Sequence, residues 1–320
     1  MEQSYLLIMV HNKEIFFLVG PTCTGKSKIA IELLKKHPFE VVSMDASTIY
    51  KNLNIGTDKP TQEILQKYNH HMINIIEPDE IFNVNSYCKR VEDILDSIIT
   101  KGKRPLIVGG TMMYFNRLLQ GIDILPERDT HERVFINYLI ERYNLNSIHN
   151  CLKAIDAPSF KRINSNDSQR IERALEVYLI TGKPMSSFFT DNQALSYKYN
   201  SKIVFLLPQD RENYHRQIQL RTSKIFNDGL IDEVINLKNN YQINSKSQSM
   251  RAIGYRQTLE YLDGNISKTQ LYNKCLYATR QLAKRQITWM KKFQADLQIS
   301  IDHKTHVEIA QLIETNLHFT

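Results

Sequence analysis

No apolar run in this 320-residue chain is long enough to cross a membrane. The apolar stretch at 5–10 is far too short, and it lacks the basic flank of an export signal. Cysteine is sparse. The four thiols, at 23, 88, 151 and 275, form no C-x-x-C pair and have no histidine-rich neighbourhood, which argues against a disulfide framework or a structural zinc. Reduced thiols in a cytoplasmic protein are the expectation. Internal repeats and low-complexity tracts are missing as well. What remains is a globular composition, 42% hydrophobic and 23% charged, at a length that suggests about two domains. One excess stands out. The formal net charge is +7, with a pI near 9.0, which points towards an anionic macromolecular partner.

The most informative segment is Gly20, Pro21, Thr22, Cys23, Thr24, Gly25, Lys26, Ser27, which fits G-x-x-x-x-G-K-[ST]. Its flanks suit that motif: residues 15–19 read as a buried strand, and residues 28–35 as an amphipathic helix. A strand, a glycine turn and a helix N-terminus aim backbone N–H groups and the positive end of the helix dipole at a di- or triphosphate. Lys26 would reach the outer phosphates and the Ser27 hydroxyl would ligate Mg²⁺. The loop specifies a polyphosphate without specifying whose.

Strand-like runs at 39–44, 104–108 and 202–207 alternate with helical patterns at 86–100, 214–227, 232–238 and 271–293. The fold class expected is α/β, a P-loop NTPase-like parallel sheet flanked by helices. Ligands of such sheets sit beyond the carboxyl ends of the strands. Asp45 and Thr111, each following a strand-like run, therefore belong on the same edge as the phosphate loop. Between about 121 and 200 the alternation stops and the pattern becomes helical and polar, with its best helix at 167–181 stopped by Gly182 and Pro184. The domain reading is a core of 1–121 and 200–320 and a helical insertion of 122–199. His70 and His71 point to opposite faces of a strand continuing through 72–76, so they read as structural and not as a metal pair.

Asp45 has two chemical readings, a carboxylate holding Mg²⁺ through water or a general base. Thr111 follows Gly109 and Gly110, a turn where backbone approaches a ligand closely, and its hydroxyl is either a turn cap or a donor to substrate. Gln169 and Arg173 lie one turn apart on their helix, off the face of Ile171 and Leu175; alone, that is an ordinary solvated face. Residues 280–292 are more telling, with Arg280, Lys284, Arg285, Lys291 and Lys292, no acidic residue, and the chain's only tryptophan, Trp289. Such a stripe suits a phosphate backbone. Arg251 and Arg256 add two cations around Gly254.

Over roughly residues 13–293 the chain resembles the tRNA dimethylallyltransferase family, also called tRNA isopentenyltransferase, in its short bacterial form without a zinc-finger extension after Phe293. The blocks that carry the resemblance are 20–27, 45–50, 54–60, His70 with His71, 105–111 with Tyr114 and Phe115, 166–177, 251–256 and 278–289. The first is shared with many NTPases; the last three together are highly specific. The resemblance implies transfer of a dimethylallyl group from dimethylallyl diphosphate to N6 of the adenosine 3′ of a tRNA anticodon, with release of pyrophosphate and a need for Mg²⁺. It implies that the loop Gly20 to Ser27 holds the prenyl diphosphate and that Asp45 is the base. Thr111, Arg221 and Lys26 would act at the leaving group. It maps tRNA contacts onto Asp45, Ala46, Ser47, Thr48, Thr111, Arg133, Gln169, Arg170, Ile171, Glu172 and Arg173. The same mapping continues over Arg251, Gly254, Tyr255, Arg256, Arg280, Lys284, Arg285, Gln286, Trp289 and Lys291. A monomer is expected. The chain departs from the family at Ala46, usually serine, and at Gln217, often arginine.

The chemistry agrees with that assignment. Allylic C–O cleavage puts negative charge on pyrophosphate, which donors at the leaving group stabilise more in the transition state than in the ground state. An exocyclic amine needs somewhere to send its proton, and a base in an anticodon loop must be unstacked to react. A small-molecule P-loop kinase would explain the loop and Asp45 but not the basic helix. A prenyltransferase acting on free adenine nucleotide, or a non-catalytic RNA-binding protein, would each leave part of the pattern unused.

Overall fold

A computed structural model describes residues 13–121, 125–189, 195 and 198–318; the apolar stretch at 5–10 and the insertion boundary near 122 lie outside them. By its contacts the chain divides into two compact units, residues 1–120 with 195–320, and residues 121–194.

The larger unit is built on a six-stranded parallel sheet of order β3-β2-β4-β1-β5-β6. Its first half runs β1 (Glu14–Val19), α1 (Lys26–Leu34), β2 (Phe39–Met44), α2 (Gln62–Lys67), β3 (His70–His71), α3 (Val84–Thr100), β4 (Arg104–Gly109) and α4 (Met112–Gln120). The strands expected at 15–19, 39–44, 104–108 and 202–207 are the four central ones. Their residues are mostly apolar on both faces because both faces are covered, as a parallel sheet requires; Glu40 and Ser43 of β2 are the buried polar exceptions there. Phe16 and Leu18 of β1 pack with Ile29 and Leu33 of α1, while the intervening Phe17 meets Phe115 of α4 edge-on at 5.4 Å. β1 lies between β4 and β5; the crossover out of β1 runs to β2 on one side and the one out of β4 runs to β5 on the other, which opens a crevice at the carboxyl ends of β1 and β4.

The smaller unit holds α5 (Thr130–Tyr143), α6 (Leu145–Ile155), α7 (Ala157–Arg162) and α8 (Ser168–Thr181), followed by a 3-10 turn at Met185–Phe188. Ile148, Leu152, Ile163, Ile171, Ala174 and Val177 form its core. Asp167 caps α8 and Gly182 ends it at φ 69°, the left-handed stop that the sequence signals. Inside this core Glu176 is fully buried and receives Arg133 Nε at 3.1 Å and Arg173 at 2.7 Å.

The larger unit then continues through β5 (Asn200–Leu207), α9 (Arg211–Asn227), α10 (Leu230–Asn240), α11 (Tyr255–Leu262), α12 (Lys268–Met290), β6 (Leu297–Ser300) and α13 (His306–Leu317). Two features depart from the sequence reading. The strand expected over 72–76 ends at His71, because Met72 and Asn74 take φ of 62° and 55° and turn the chain before Ile76 returns to bridge Tyr50. β6 and α13, unmarked by any strong periodicity, add an edge strand and a helix over α1. His70 and His71 are structural as read: His71 Nε2 lies 2.7 Å from the buried Glu40 carboxylate, and His70 Nδ1 lies 2.8 Å from Tyr68 O.

Candidate active site

The loop between β1 and α1 folds around its own carbonyl. Gly25 takes φ 75° at the N-cap of α1, a conformation that needs glycine, and its carbonyl accepts the N–H of Ile29 at 3.0 Å. Thr24 Oγ1 and Lys26 Nζ both donate to Pro21 O, at 2.9 and 2.7 Å. Burial lowers the Lys26 ammonium to about 8, against the opposing pull of Asp45. Thr22 is held at every polar atom. Its N–H donates to Gln286 Oε1 at 2.9 Å, its carbonyl accepts Tyr214 Oη at 2.6 Å, and its hydroxyl accepts Arg221 at 2.9 Å. Arg221 also donates through Nε to Asp58 at 3.1 Å. The Ser27 hydroxyl is exposed at the start of α1.

Asp45 and Thr111 leave the adjacent strands β2 and β4 side by side. The strand ends approach so closely that a Cβ on Gly109 would lie 2.0 Å from Met44 O. Thr111 N–H donates to Met44 O at 3.2 Å, and the Ala46 N–H donates to Thr111 Oγ1 at 3.0 Å. The Ser47 N–H and hydroxyl both donate to Asp45 Oδ1, at 2.8 and 2.6 Å. Among the described residues Oδ2 receives no hydrogen bond, so one carboxylate oxygen is fixed and the other is available.

A cavity of about 1210 Å³ joins these groups, with Lys26, Ser27, Asp45, Thr111 and Arg221 on its wall beside Arg285 and Trp289 of α12. Residues 56–61 line another side, and sequence reasoning left the anchor of this segment unassigned. The Glu233 carboxylate accepts the backbone N–H groups of Asn54, Ile55 and Gly56 at 2.9, 2.8 and 3.3 Å, and Tyr255 Oη at 2.5 Å. Lys59 Nζ donates to Tyr50 O and to Asn74 Oδ1, each at 2.6 Å, and burial lowers it to about 8. Asp58, Lys59 and Glu233 carry no signal in one sequence beyond the block at 54–60, because their partners are remote.

Several expected RNA contacts need correction. Ile171 and Tyr255 have no exposed surface, the first packed in the core of the smaller unit and the second bound to Glu233, so neither side chain can touch RNA. Thr48, with its hydroxyl 2.9 Å from Ser43 Oγ, and Gly254, at the start of α11, are buried from the outer surface and border the cavity instead. Gln286 spends its amide on the loop and on Gly110 O, to which Nε2 donates at 2.8 Å. Arg133 and Arg173 share the charge of Glu176, which leaves one net positive charge among the three. Gln169, Arg251, Arg256, Lys284, Arg285 and Lys291 are exposed, as is Arg170, which pairs with Asp167 at 3.1 Å. Glu172 and Arg280 are half-buried. No group of three or more His, Cys, Asp or Glu among the described residues could hold a metal by itself. A hard cation at Ser27 therefore fits only as a partner of a bound polyphosphate, whose oxygens would complete the shell.

The IPP transferase family model matches residues 48–293. The tRNA dimethylallyltransferase of Francisella philomiragia is 40% identical over 288 residues, 90% of this chain and 94% of that protein. The crystal structure of a tRNA delta(2)-isopentenylpyrophosphate transferase from Staphylococcus epidermidis superposes with a TM-score of 0.68 at 31% identity, covering 95% of this chain and 98% of that one. The full-length tRNA isopentenylpyrophosphate transferase of Bacillus halodurans gives a TM-score of 0.68 at 29% identity, covering 96% and 97%.

Proposed function

The chain belongs to the IPP transferase family, and from that premise we propose how its cavity works as a tRNA dimethylallyltransferase. The donor is dimethylallyl diphosphate, with its diphosphate wrapped by residues 20–27 under the N-terminus of α1. The acceptor is N6 of the adenosine 3′ of the anticodon in a substrate tRNA, flipped into the same cavity. N6 attacks the allylic C1, the C1–O bond breaks, and its electron pair leaves with pyrophosphate. The N6 proton passes to Asp45 Oδ2, the carboxylate oxygen that Ser47 leaves free. Lys26, Thr111 and Arg221 meet the negative charge that grows on the leaving group. Mg²⁺, held by Ser27 and the diphosphate oxygens, would supply further charge neutralisation there. Arg251, Arg256, Lys284, Arg285 and Lys291 offer exposed cations to the RNA backbone.

One observation carries this reading. Asp45 and Thr111 stand together at adjacent strand ends, on the wall of the cavity that also holds Lys26 and Arg221. Among the described residues no helix is long and apolar enough to cross a membrane. The acceptor tRNA would be met in the cytoplasm. The test is incubation with under-modified tRNA, Mg²⁺ and labelled dimethylallyl diphosphate, repeated with labelled ATP and with free adenine nucleotides. Label should enter tRNA alone, and only when adenosine follows the anticodon. Phosphoryl transfer from ATP would make the protein a kinase, and prenylation of free nucleotide would remove the RNA from the reaction.

A further inference from the structure

Gln286 sits within the basic run of α12, between Arg285 and Trp289, yet its side chain faces the phosphate loop. Its carboxamide bridges two backbone sites that belong to different parts of the catalytic edge. Oε1 accepts the N–H of Thr22 at 2.9 Å, and Nε2 donates to Gly110 O at 2.8 Å. The two partners fix the orientation of the amide, since an N–H can only donate and a carbonyl can only accept. The fit is tight. A Cβ on Gly110 would lie 2.6 Å from Nε2 and 2.8 Å from Gly20 O, so glycine at 110 makes room for both the amide and the loop.

We infer that Gln286 is a positioning residue for the donor loop: it fixes the Thr22 peptide and the Gly110–Thr111 turn relative to each other. This rests on the reading of residues 20–27 as the diphosphate site. Two peptide groups flank the reacting centre, one in the loop that holds the diphosphate and one immediately before Thr111. With Gln286 in place, Thr22 is pinned on all three polar atoms, the other two by Tyr214 and Arg221 of α9. The loop amides then keep their aim without reorganisation when charge develops on pyrophosphate. Few side chains can do this. The bridge needs one acceptor and one donor at the length of glutamine. Glutamate keeps the acceptor but sets a carboxylate against Gly110 O and beside the diphosphate. Methionine keeps the length and offers neither hydrogen bond.

The full-length protein tests this with Gln286→Met and Gln286→Glu. Inorganic pyrophosphate with Mg²⁺ is titrated by calorimetry, an under-modified anticodon hairpin by fluorescence anisotropy, and donor kcat and KM are measured separately. The Met variant should bind pyrophosphate about 10-fold more weakly, with a matching rise in donor KM, as expected when two hydrogen bonds are removed. The hairpin Kd should stay within about 2-fold, because both ends of the amide are spent on Thr22 and Gly110. Gln286→Glu should be worse than Met for pyrophosphate although nearer to glutamine in shape. That order is the signature a merely structural role would not give; if the Met variant fails to fold, weakened pyrophosphate binding by Gln286→Glu at an unchanged hairpin Kd decides instead. Loss of hairpin affinity with pyrophosphate binding intact would make Gln286 an RNA contact and overturn the inference, as would a Glu variant equal to wild type. Wild-type pyrophosphate binding without prenyl transfer would remove the proposed reaction and leave this inference standing; no pyrophosphate binding at all would overturn both.

Discussion

The base role we propose for Asp45 rests on what surrounds it more than on any property of an isolated aspartate. The Ser47 N–H and hydroxyl take Oδ1, and the Ala46 N–H is spent on Thr111, so the turn after β2 is ordered by the group that stands beside Asp45. The serine usual in the family at position 46 is absent, and the exposed Ala46 side chain offers no hydroxyl in its place. Asp45→Asn keeps the size of the side chain and removes the basic oxygen. Prenyl transfer should fall by about 10²–10⁴ at saturating substrates, the typical worth of a general base. The hairpin Kd, measured by anisotropy, should change by no more than a few fold. Turnover close to wild type would move the proton acceptor elsewhere.

Helix α12 divides its work between faces. Leu282, Arg285, Gln286 and Trp289 look into the cavity, while Lys284 and Lys291 are exposed away from it. The capping box at Ser267 and Gln270 fixes where the helix begins, and buried Leu271, Cys275, Leu276 and Ala283 hold it against its neighbours. Its exposed cations are thereby presented on a rigid element. Neutralising Lys284 and Lys291 together to glutamine should weaken hairpin binding. The slope of log K against log salt should flatten by about 0.7–0.9 for each RNA phosphate that is no longer neutralised. Pyrophosphate binding should be unaffected. A slope unchanged from wild type would show these two lysines to be solvated and idle.

The sheet carries its own electrostatic staple at the β2–β3 edge. Glu40 is 1% exposed, and burial by itself would push its carboxyl upward. Hydrogen bonds from His71, Asn69 and Lys103 overcome that and hold it at about 2, below its ordinary 4.5. A folded-state value below the unfolded one means stability that is complete above about 4.5 and lost as pH falls towards 2. Urea unfolding from pH 7 down to pH 2 should therefore show a steeper loss in wild type than in Glu40→Gln. The variant should also be less stable at neutral pH, because it removes one partner of a buried charged group. Equal pH profiles for the two proteins would mean that Glu40 titrates normally.

The parts legible in the chain were those set by short-range geometry. The octet at 20–27 declares a phosphate loop because a left-handed glycine, a lysine and a hydroxyl at that spacing can wrap one anion. Short, mostly apolar runs declared the central strands, and a period near 3.6 declared α3, α8 and α12. Ile171 already lay on the apolar face of its helix, so its burial was written in the pattern even where family likeness put it against RNA. Pairings across the fold were another matter. Thr22 and Gln286 lie 264 residues apart, and Asn54 and Glu233 179 apart. Nothing local distinguishes the glutamine that clamps a loop from one that reads RNA, or the glutamate that collects three N–H groups from one on a solvated helix. Spacing constrains only what one turn or one strand can reach. Which remote partners meet follows from how helices pack on the sheet, and that packing is what turns a basic helix into one wall of the cavity.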